Sequence, residues 1–229
     1  MTKHLGFILL VVILFFSACE REIEEPFIDT GFDFQPLLIG NFWIYEVDQT
    51  IYFGENDSEQ ELFFYRDHIR TFYLNAANEQ VFIVERLKSA DKQTWVLEKE
   101  YTLNLRDFAL IKTEDNQPLV SFIFPPKTGR VWDGNIYRNA DRDNFEMDTM
   151  LSGSANEKDW GIQYRVLQED SDDLITFRDK RFEYYAKGIG LTYYFAEVLT
   201  YCSRNDCLGD ELIDSGYRIQ MDLVEYGKD

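Results

Sequence analysis

The feature that most constrains the fold is a series of short segments in which apolar and polar residues alternate. A period of two places every second side chain on one face, which is typical of a half-buried β-strand. The segments recur roughly every ten residues and are separated by turn-forming residues such as Asp115-Asn116-Gln117-Pro118 and Pro125-Pro126. Residues 61–74 also fit a helical period in part, and we predict a strand there. The predicted strands cover residues 42–53, 61–74, 80–87, 94–105, 108–113, 119–124, 129–137, 162–168, 174–178, 182–185, 191–201 and 217–226.

Strands this closely spaced leave no room for crossover helices, so the sequence predicts a single all-β domain over residues 32–229, built as an antiparallel meander. A sheet with one apolar face must close, curl around something or pack on a second sheet. We predict a strongly curved sheet or an open barrel. The polar segment 139–159 is predicted to be a long loop, and residues 169–173 a hairpin turn.

The N-terminus has the features of a secretory signal peptide over residues 1–18. Lys3 precedes an apolar run at residues 5–16, and Ser17 and Ala18 stand before Cys19. This order predicts cleavage after residue 18 and lipidation of Cys19, as in a bacterial lipobox. The run is shorter than the roughly 20 apolar residues of a transmembrane helix. Cleavage without lipidation is the alternative.

Residues 19–31 are predicted to form the lipidated N-terminus and an acidic tether. Residues 20–25 read Glu-Arg-Glu-Ile-Glu-Glu and lack a periodic apolar face. The run is similar to the acidic signal after the lipidated cysteine in surface lipoproteins of the Bacteroidetes type. That similarity implies the outer membrane and exposure to the medium, although a plain spacer explains the same residues.

The charge of the chain limits its partners. The whole chain has a net charge of −19, and removing residues 1–18 takes away only Lys3 among the charged residues, leaving 22 basic against 42 acidic residues, or −20. Such a chain repels phosphate backbones and anionic lipid surfaces, so we expect no nucleic-acid partner and assign membrane contact to the lipid. The charge indicates solubility first, and cation binding second.

Cys202 and Cys207 are the two cysteines that remain after Cys19. In an exported protein this pair favours a disulfide that closes a turn between two strands. A metal site would need further ligands, and no histidine or other cysteine is near them in sequence. We therefore predict no metal site at these cysteines.

The mature sequence contains no motif that identifies a reaction. His68 is its only histidine, and the sequence lacks nucleotide-binding and serine-hydrolase motifs. We predict no catalytic residue and no cofactor. The acidic segment 139–148 has oxygen ligands for calcium without the spacing of an EF-hand, so a solvated loop is favoured. A hydrolase that uses two carboxylates stays open.

Four segments together resemble an uncharacterised family of Bacteroidetes-type surface lipoproteins. The segments are Phe34-Gln35-Pro36-Leu37 with Gly40-Asn41-Phe42-Trp43-Ile44-Tyr45, then Val81-Phe82-Ile83-Val84-Glu85-Arg86, Ile123-Phe124-Pro125 with Trp132-Asp133-Gly134-Asn135, and Tyr185-Ala186-Lys187-Gly188-Ile189-Gly190-Leu191. The resemblance covers most of residues 32–226. It implies an envelope location and an all-β fold, and it transfers no activity.

These observations lead to one main functional hypothesis and two alternatives. We expect an exported outer-membrane lipoprotein that acts as a non-enzymatic binding or assembly module. The first alternative is a carrier of a lipid or other hydrophobic ligand, because the chain has 19 Phe and 14 Tyr in a sheet that can curl around a cavity. The second is the carboxylate hydrolase, which requires a cleft with two facing acids.

Overall fold

The computed structural model describes residues 29–55, 57–155 and 158–229. The predicted signal peptide 1–18, the lipidation site Cys19 and tether residues 20–28 lie outside the described residues. Within the described part of the chain, no helix is long and apolar enough to cross a membrane.

Twelve strands form one antiparallel sheet, preceded by a 3-10 helix at Phe32–Phe34. The sheet order is β6-β5-β4-β3-β2-β1-β12-β11-β10-β9-β8-β7. The all-β prediction and the strongly curved, open-barrel architecture are confirmed. The strands are β1 (Asn41–Gly54), β2 (Asp57–Leu74), β3 (Gln80–Ser89), β4 (Val96–Arg106), β5 (Ala109–Glu114), β6 (Gln117–Ile123), β7 (Arg130–Asp133), β8 (Asn144–Ala155), β9 (Lys158–Asp172), β10 (Phe177–Ala186), β11 (Gly190–Tyr201) and β12 (Ile213–Lys228).

The two edge strands, β6 and β7, approach each other and nearly close the sheet into a barrel. The backbone N–H of Val120 on β6 donates to the carbonyl of Gly134, just after β7, at 2.9 Å. The indole Nε1 of Trp132 on β7 donates to the carbonyl of Val120 at 2.8 Å. These bonds satisfy backbone groups of the two edge strands, which would otherwise be free to pair with another chain.

One end of the barrel is plugged by the segment that carries the 3-10 helix. Phe34 is buried and packs against Phe122 and Tyr164. The N–H of Gly188, in the turn between β10 and β11, donates to the carbonyl of Asp33 at 2.8 Å. The N-terminal segment of the domain therefore lies at the plugged end of the barrel.

The prediction that residues 139–159 form a loop is wrong, because β8 and the start of β9 lie there. Phe145 and Met147 on β8 are fully buried, so alternate positions of this strand belong to the core. The polar residues that suggested a loop include Asp148, which forms an ion pair with Arg165 on β9. Cross-strand charge pairing of this kind supports a strand with a polar face.

Two strand boundaries and one predicted turn also differ from the prediction. The strand predicted at residues 129–137 is confined to β7, which ends at Asp133. Strand β9 continues to Asp172 through the turn predicted at residues 169–173, and β10 begins only at Phe177. Asp173 explains the shift, because its Oδ1 accepts from the backbone N–H groups of residues 175, 176 and 177 at 2.6–3.0 Å. Such an Asx-type turn competes with strand pairing.

Candidate functional site

The barrel encloses a cavity of about 490 Å³ above the plug, lined by side chains from ten of the twelve strands. This volume lies within the usual range of small-molecule sites, about 300–1,000 Å³. Six lining residues are charged, namely Arg86, Lys99, Lys112, Glu114, Arg181 and Glu183. Seven are apolar or aromatic, namely Tyr65, Leu119, Leu191, Tyr194, Tyr217, Ile219 and Met221.

The cavity runs from a solvent-exposed mouth to a buried floor. At the mouth, the side chains of Lys99 and Glu114 are 36% and 30% exposed, and Tyr217 is 39% exposed. On the floor, Arg86 and Glu183 are each only 7% exposed. The site is therefore a well that opens at the end of the barrel opposite the plug.

A lysine pair, defined as Lys99 on β4 and Lys112 on β5, shares the single carboxylate of Glu114. Lys99 Nζ binds Oε1, and Lys112 Nζ lies 3.1 Å from Oε2. Lys112 and Glu114 are two residues apart on one strand, so their side chains face the same side of the sheet. Burial alone would raise the pKa of Glu114, but Lys112 and Lys99 outweigh it and lower the pKa to about 2.

A second charged group on the floor, the buried pair, consists of Arg86 and Asp67. The two residues stand directly opposite each other in the β2–β3 register. Arg86 donates through Nε and Nη2 to the two oxygens of Asp67 at 2.7 and 2.6 Å. The hydroxyl of Tyr101 donates to Asp67 Oδ2 at 2.9 Å, and the guanidinium lies 4.7 Å from the centre of the Tyr65 ring. This geometry holds Arg86 in one orientation.

Glu183 on β10 provides a third charged position on the floor. Burial raises its pKa, while Lys112 nearby and the hydroxyl of Tyr185 oppose that rise. The Tyr185 hydroxyl donates to Glu183 Oε2 at 2.8 Å. A small pocket of about 30 Å³, which Trp43 also lines, shares Arg86, Lys112 and Glu183 with the main cavity. Arg86, Lys112 and Glu183 therefore lie between the main cavity and the small pocket next to the plug.

The cysteine pair predicted from sequence forms a disulfide in the loop between β11 and β12, with 5.9 Å between the Cα atoms of Cys202 and Cys207. His68 lies outside the cavity lining, with Nε2 3.4 Å from the carboxylate of Asp229. Neither the disulfide nor the histidine contributes a side chain to the cavity.

Two carboxylates of the acidic segment 139–148 are paired with arginines. Asp143 lies 3.6 Å from Arg181, and Asp148 pairs with Arg165. Over residues 29–55, 57–155 and 158–229, no group of three histidine, cysteine or acidic side chains has metal-binding geometry. Residues 144–148 of the segment belong to β8 and pair with β7 and β9.

The sequence prediction missed the cavity residues, although a local signal was present. Charged residues stand on the same face as core residues in several strands: Lys99 precedes Tyr101 by two positions, and Glu183 precedes Tyr185 by two. Because residues two apart share a face, such charges are directed to the interior. Inward charges on neighbouring strands are a signal of a polar cavity.

Comparison with known proteins gives only remote likenesses. No protein-family model and no curated protein matches the chain. A Bacteroides fragilis protein, described as a candidate exported protein with a YmcC-like fold, is similar with a TM-score of 0.44 at 9% identity. A candidate lipoprotein of Parabacteroides distasonis is similar with a TM-score of 0.43 at 11% identity. Each match covers 85% of this chain and 98% of the other. Likeness at this level carries no argument about function, and export and lipidation stay predictions.

Proposed function

We propose that this chain is an exported envelope lipoprotein whose barrel binds a small ligand without chemical conversion. The observation that carries the proposal is the well of about 490 Å³, open at one end and closed at the other by the plug. Core packing in proteins normally leaves few voids larger than a water molecule. A cavity of this size therefore supports a binding role over a purely structural one.

The lining favours a ligand with both polar and apolar parts. A carrier of a purely hydrophobic molecule would cover charged groups such as Lys112 and Glu114 with hydrocarbon, which costs free energy because those groups lose water. Aromatic side chains such as Tyr65 and Tyr217 provide apolar contact area beside the charges. We therefore propose an amphipathic ligand in place of the purely hydrophobic one expected from the sequence.

The position of the chain entry supports an orientation in which the well faces away from the membrane. Asp29, the first described residue, pairs with Lys187 at the plugged end at 2.9 Å. Cys19 stands ten positions before it in the chain, a reach of at most about 35 Å. Exposed apolar side chains also lie at this end, among them Leu38, Ile39 and Phe108. Phe108 stacks on Phe32 of the plug.

The location is tested by replacing Cys19 with Ala and separating membranes from soluble material in detergent-free buffer. We expect the wild-type protein in the membrane fraction and labelled with radioactive palmitate. The variant should carry no label and should leave the membrane fraction. Palmitate label on the variant would contradict lipidation at Cys19.

The binding role is tested by native mass spectrometry of protein purified gently from its own host. We expect a reproducible non-covalent adduct that denaturation releases. Replacing Ile219 on the cavity wall with Trp, which fills part of the cavity, should reduce the adduct. An adduct that is unchanged in this variant would place the ligand elsewhere.

A carboxylate hydrolase is the second candidate, because Glu114 and Glu183 line one cavity and their pKa values move in opposite directions. We rank it second because both oxygens of Glu114 are held by lysines, which makes this carboxylate a weak base. The test is hydrolysis of a panel of aryl glycosides and aryl esters. Turnover that Glu183→Gln abolishes would favour the hydrolase, and no turnover by the wild type would remove it.

A further inference from the structure

We propose that the well selects an anionic ligand with an apolar or aromatic body, with the anionic group held by Lys112, Lys99 and Arg86. The inference deepens the proposed binding function and rests on it. It follows from how charges and apolar side chains are divided between the walls of the barrel.

Three cations lie on adjacent strands of one wall. Arg86, Lys99 and Lys112 come from β3, β4 and β5, which are neighbours in the sheet. The facing apolar wall is formed by Tyr194 on β11 and by residues of β12. Strands β5 and β11 are six places apart in an order of twelve strands, so they face each other across a nearly closed barrel. The three-cation cluster therefore lies on one side of the well and most of the apolar side chains lie opposite, with Arg181 and Glu183 on the neighbouring strand β10 adding one basic and one acidic group beside the apolar wall.

The basic wall has an excess of positive charge. The lysine pair, Lys99 and Lys112, shares the single carboxylate of Glu114, which leaves one ammonium charge without its own counter-ion in that cluster. The low pKa of Glu114 keeps this carboxylate ionised between the two lysines, and burial raises the pKa of Glu183 against the opposing effect of Lys112. The whole chain has a net charge of −19, with only 23 basic residues against 42 acidic ones. A cluster of three basic side chains in one cavity wall is therefore unusual for this chain.

Arg86 adds an oriented donor to this wall. Asp67 accepts from its Nε and Nη2 groups, which leaves the two Nη1 hydrogens and the second Nη2 hydrogen of this cavity-lining residue free of Asp67. A guanidinium fixed by a bidentate partner loses little further freedom when it donates to a ligand. An anion at this position would form charge-assisted hydrogen bonds, which are stronger than neutral ones.

The apolar wall selects the body of the ligand. Tyr217 and Ile219 lie on β12 with Met221, and Tyr194 lies beside them on β11. Aromatic and aliphatic surfaces in this arrangement provide contact area for a flat or branched apolar group. A cationic ligand would meet the lysine pair in the same well, where like charges repel it.

The experiment is calorimetric titration of the full-length lipidated protein in detergent with three probes of one shape, with protein-free micelles as the blank. The probes are naphthalene-2-acetate, its neutral amide and 2-(2-naphthyl)ethylamine. We expect the acetate to bind about tenfold more tightly than the amide, the equivalent of about 1.4 kcal/mol, and the amine not to bind.

Two substitutions with opposite expected effects on acetate binding test where the anionic group of the ligand lies. Lys112→Met should remove the preference for the acetate, while Glu114→Gln should strengthen acetate binding, because it frees the lysine pair from its carboxylate. The matched control is Lys180→Met, which removes a lysine that pairs with Asp170 outside the cavity lining and should change nothing. Circular dichroism checks that each variant folds.

The outcomes separate the inference from the proposed function. Equal affinity for the acetate and the amide, or tighter binding of the amine, would overturn the anion selectivity and leave a binding cavity in place. No binding of any of the three probes would count against both proposals. If neither Lys112→Met nor Glu114→Gln changes the preference for the acetate, the anionic group does not bind at the basic wall. That result would overturn the inference.

Discussion

The buried pair of Arg86 and Asp67 gives the sharpest stability prediction, through the substitution Asp67→Asn. Asp67 is 1% exposed and Arg86 7% exposed, and the carboxylate accepts two bonds from the guanidinium and one from the Tyr101 hydroxyl. Asn keeps the shape but loses the charge, and its amide presents donors toward an arginine that has only donors.

The expected cost follows from leaving an arginine buried without its counter-ion. Removing one partner of a buried ion pair typically costs about 3–5 kcal/mol. Because Arg86 also lines a cavity that water can enter, we expect the lower end of that range, about 3 kcal/mol. Against a total stability of about 5–15 kcal/mol, this is a large fraction.

The assay is urea unfolding followed by tryptophan fluorescence, with the midpoint and the slope fitted separately. We expect a lower midpoint at an unchanged slope, because the native fold is retained. The matched control is Asp229→Asn, which breaks an Arg66–Asp229 pair with two hydrogen bonds of 2.8 and 2.6 Å. That pair is solvent-exposed, with Asp229 50% exposed, so its loss should cost less than about 1 kcal/mol.

Equal costs for the two substitutions would contradict this prediction. A cost of less than about 1 kcal/mol for Asp67→Asn would contradict it too, since burial would then not strengthen the pair.

Two further predictions concern pH and the disulfide. The Glu114 pKa of about 2 lies below its ordinary 4.5, so its ionised form adds stability that is complete above about pH 4.5 and is lost as the pH falls toward 2. The stability difference between the wild type and Glu114→Gln, measured by urea unfolding across that range, should shrink accordingly; a constant difference would contradict the charge pairing. Reducing the Cys202–Cys207 disulfide, which spans a sequence separation of five, should lower the free energy of unfolding by about 2 kcal/mol, because a short loop restricts the unfolded chain modestly. Thermal melting with and without reductant, on wild type and on Cys202→Ser, tests this, and a reductant effect that persists in the variant would exclude the disulfide as its cause.

The architecture was predictable because alternation reports directly on strand faces. On β1, Trp43, Tyr45 and Val47 are buried at every second position, as the pattern requires. The prediction failed where polar side chains line the outer face of a buried strand, as on β8. The loop prediction rested on the polar composition of residues 139–159 and missed that Phe145 and Met147 are buried at alternate positions.

The cavity was harder to predict because it depends on register and closure. Asp67 and Arg86 are 19 residues apart and become partners only through the β2–β3 register. The opposition of β5 and β11 requires the complete strand order. Lys112 and Glu114 are the exception, because a separation of two on one strand already places them on one face.

A crystal structure of protein purified from its own host without refolding would show whether the well holds a ligand. We expect electron density larger than a water molecule between the basic wall at Lys112 and the apolar wall at Tyr194. A cavity that holds only ordered water, or side chains that have collapsed to fill it, would contradict the proposed binding function.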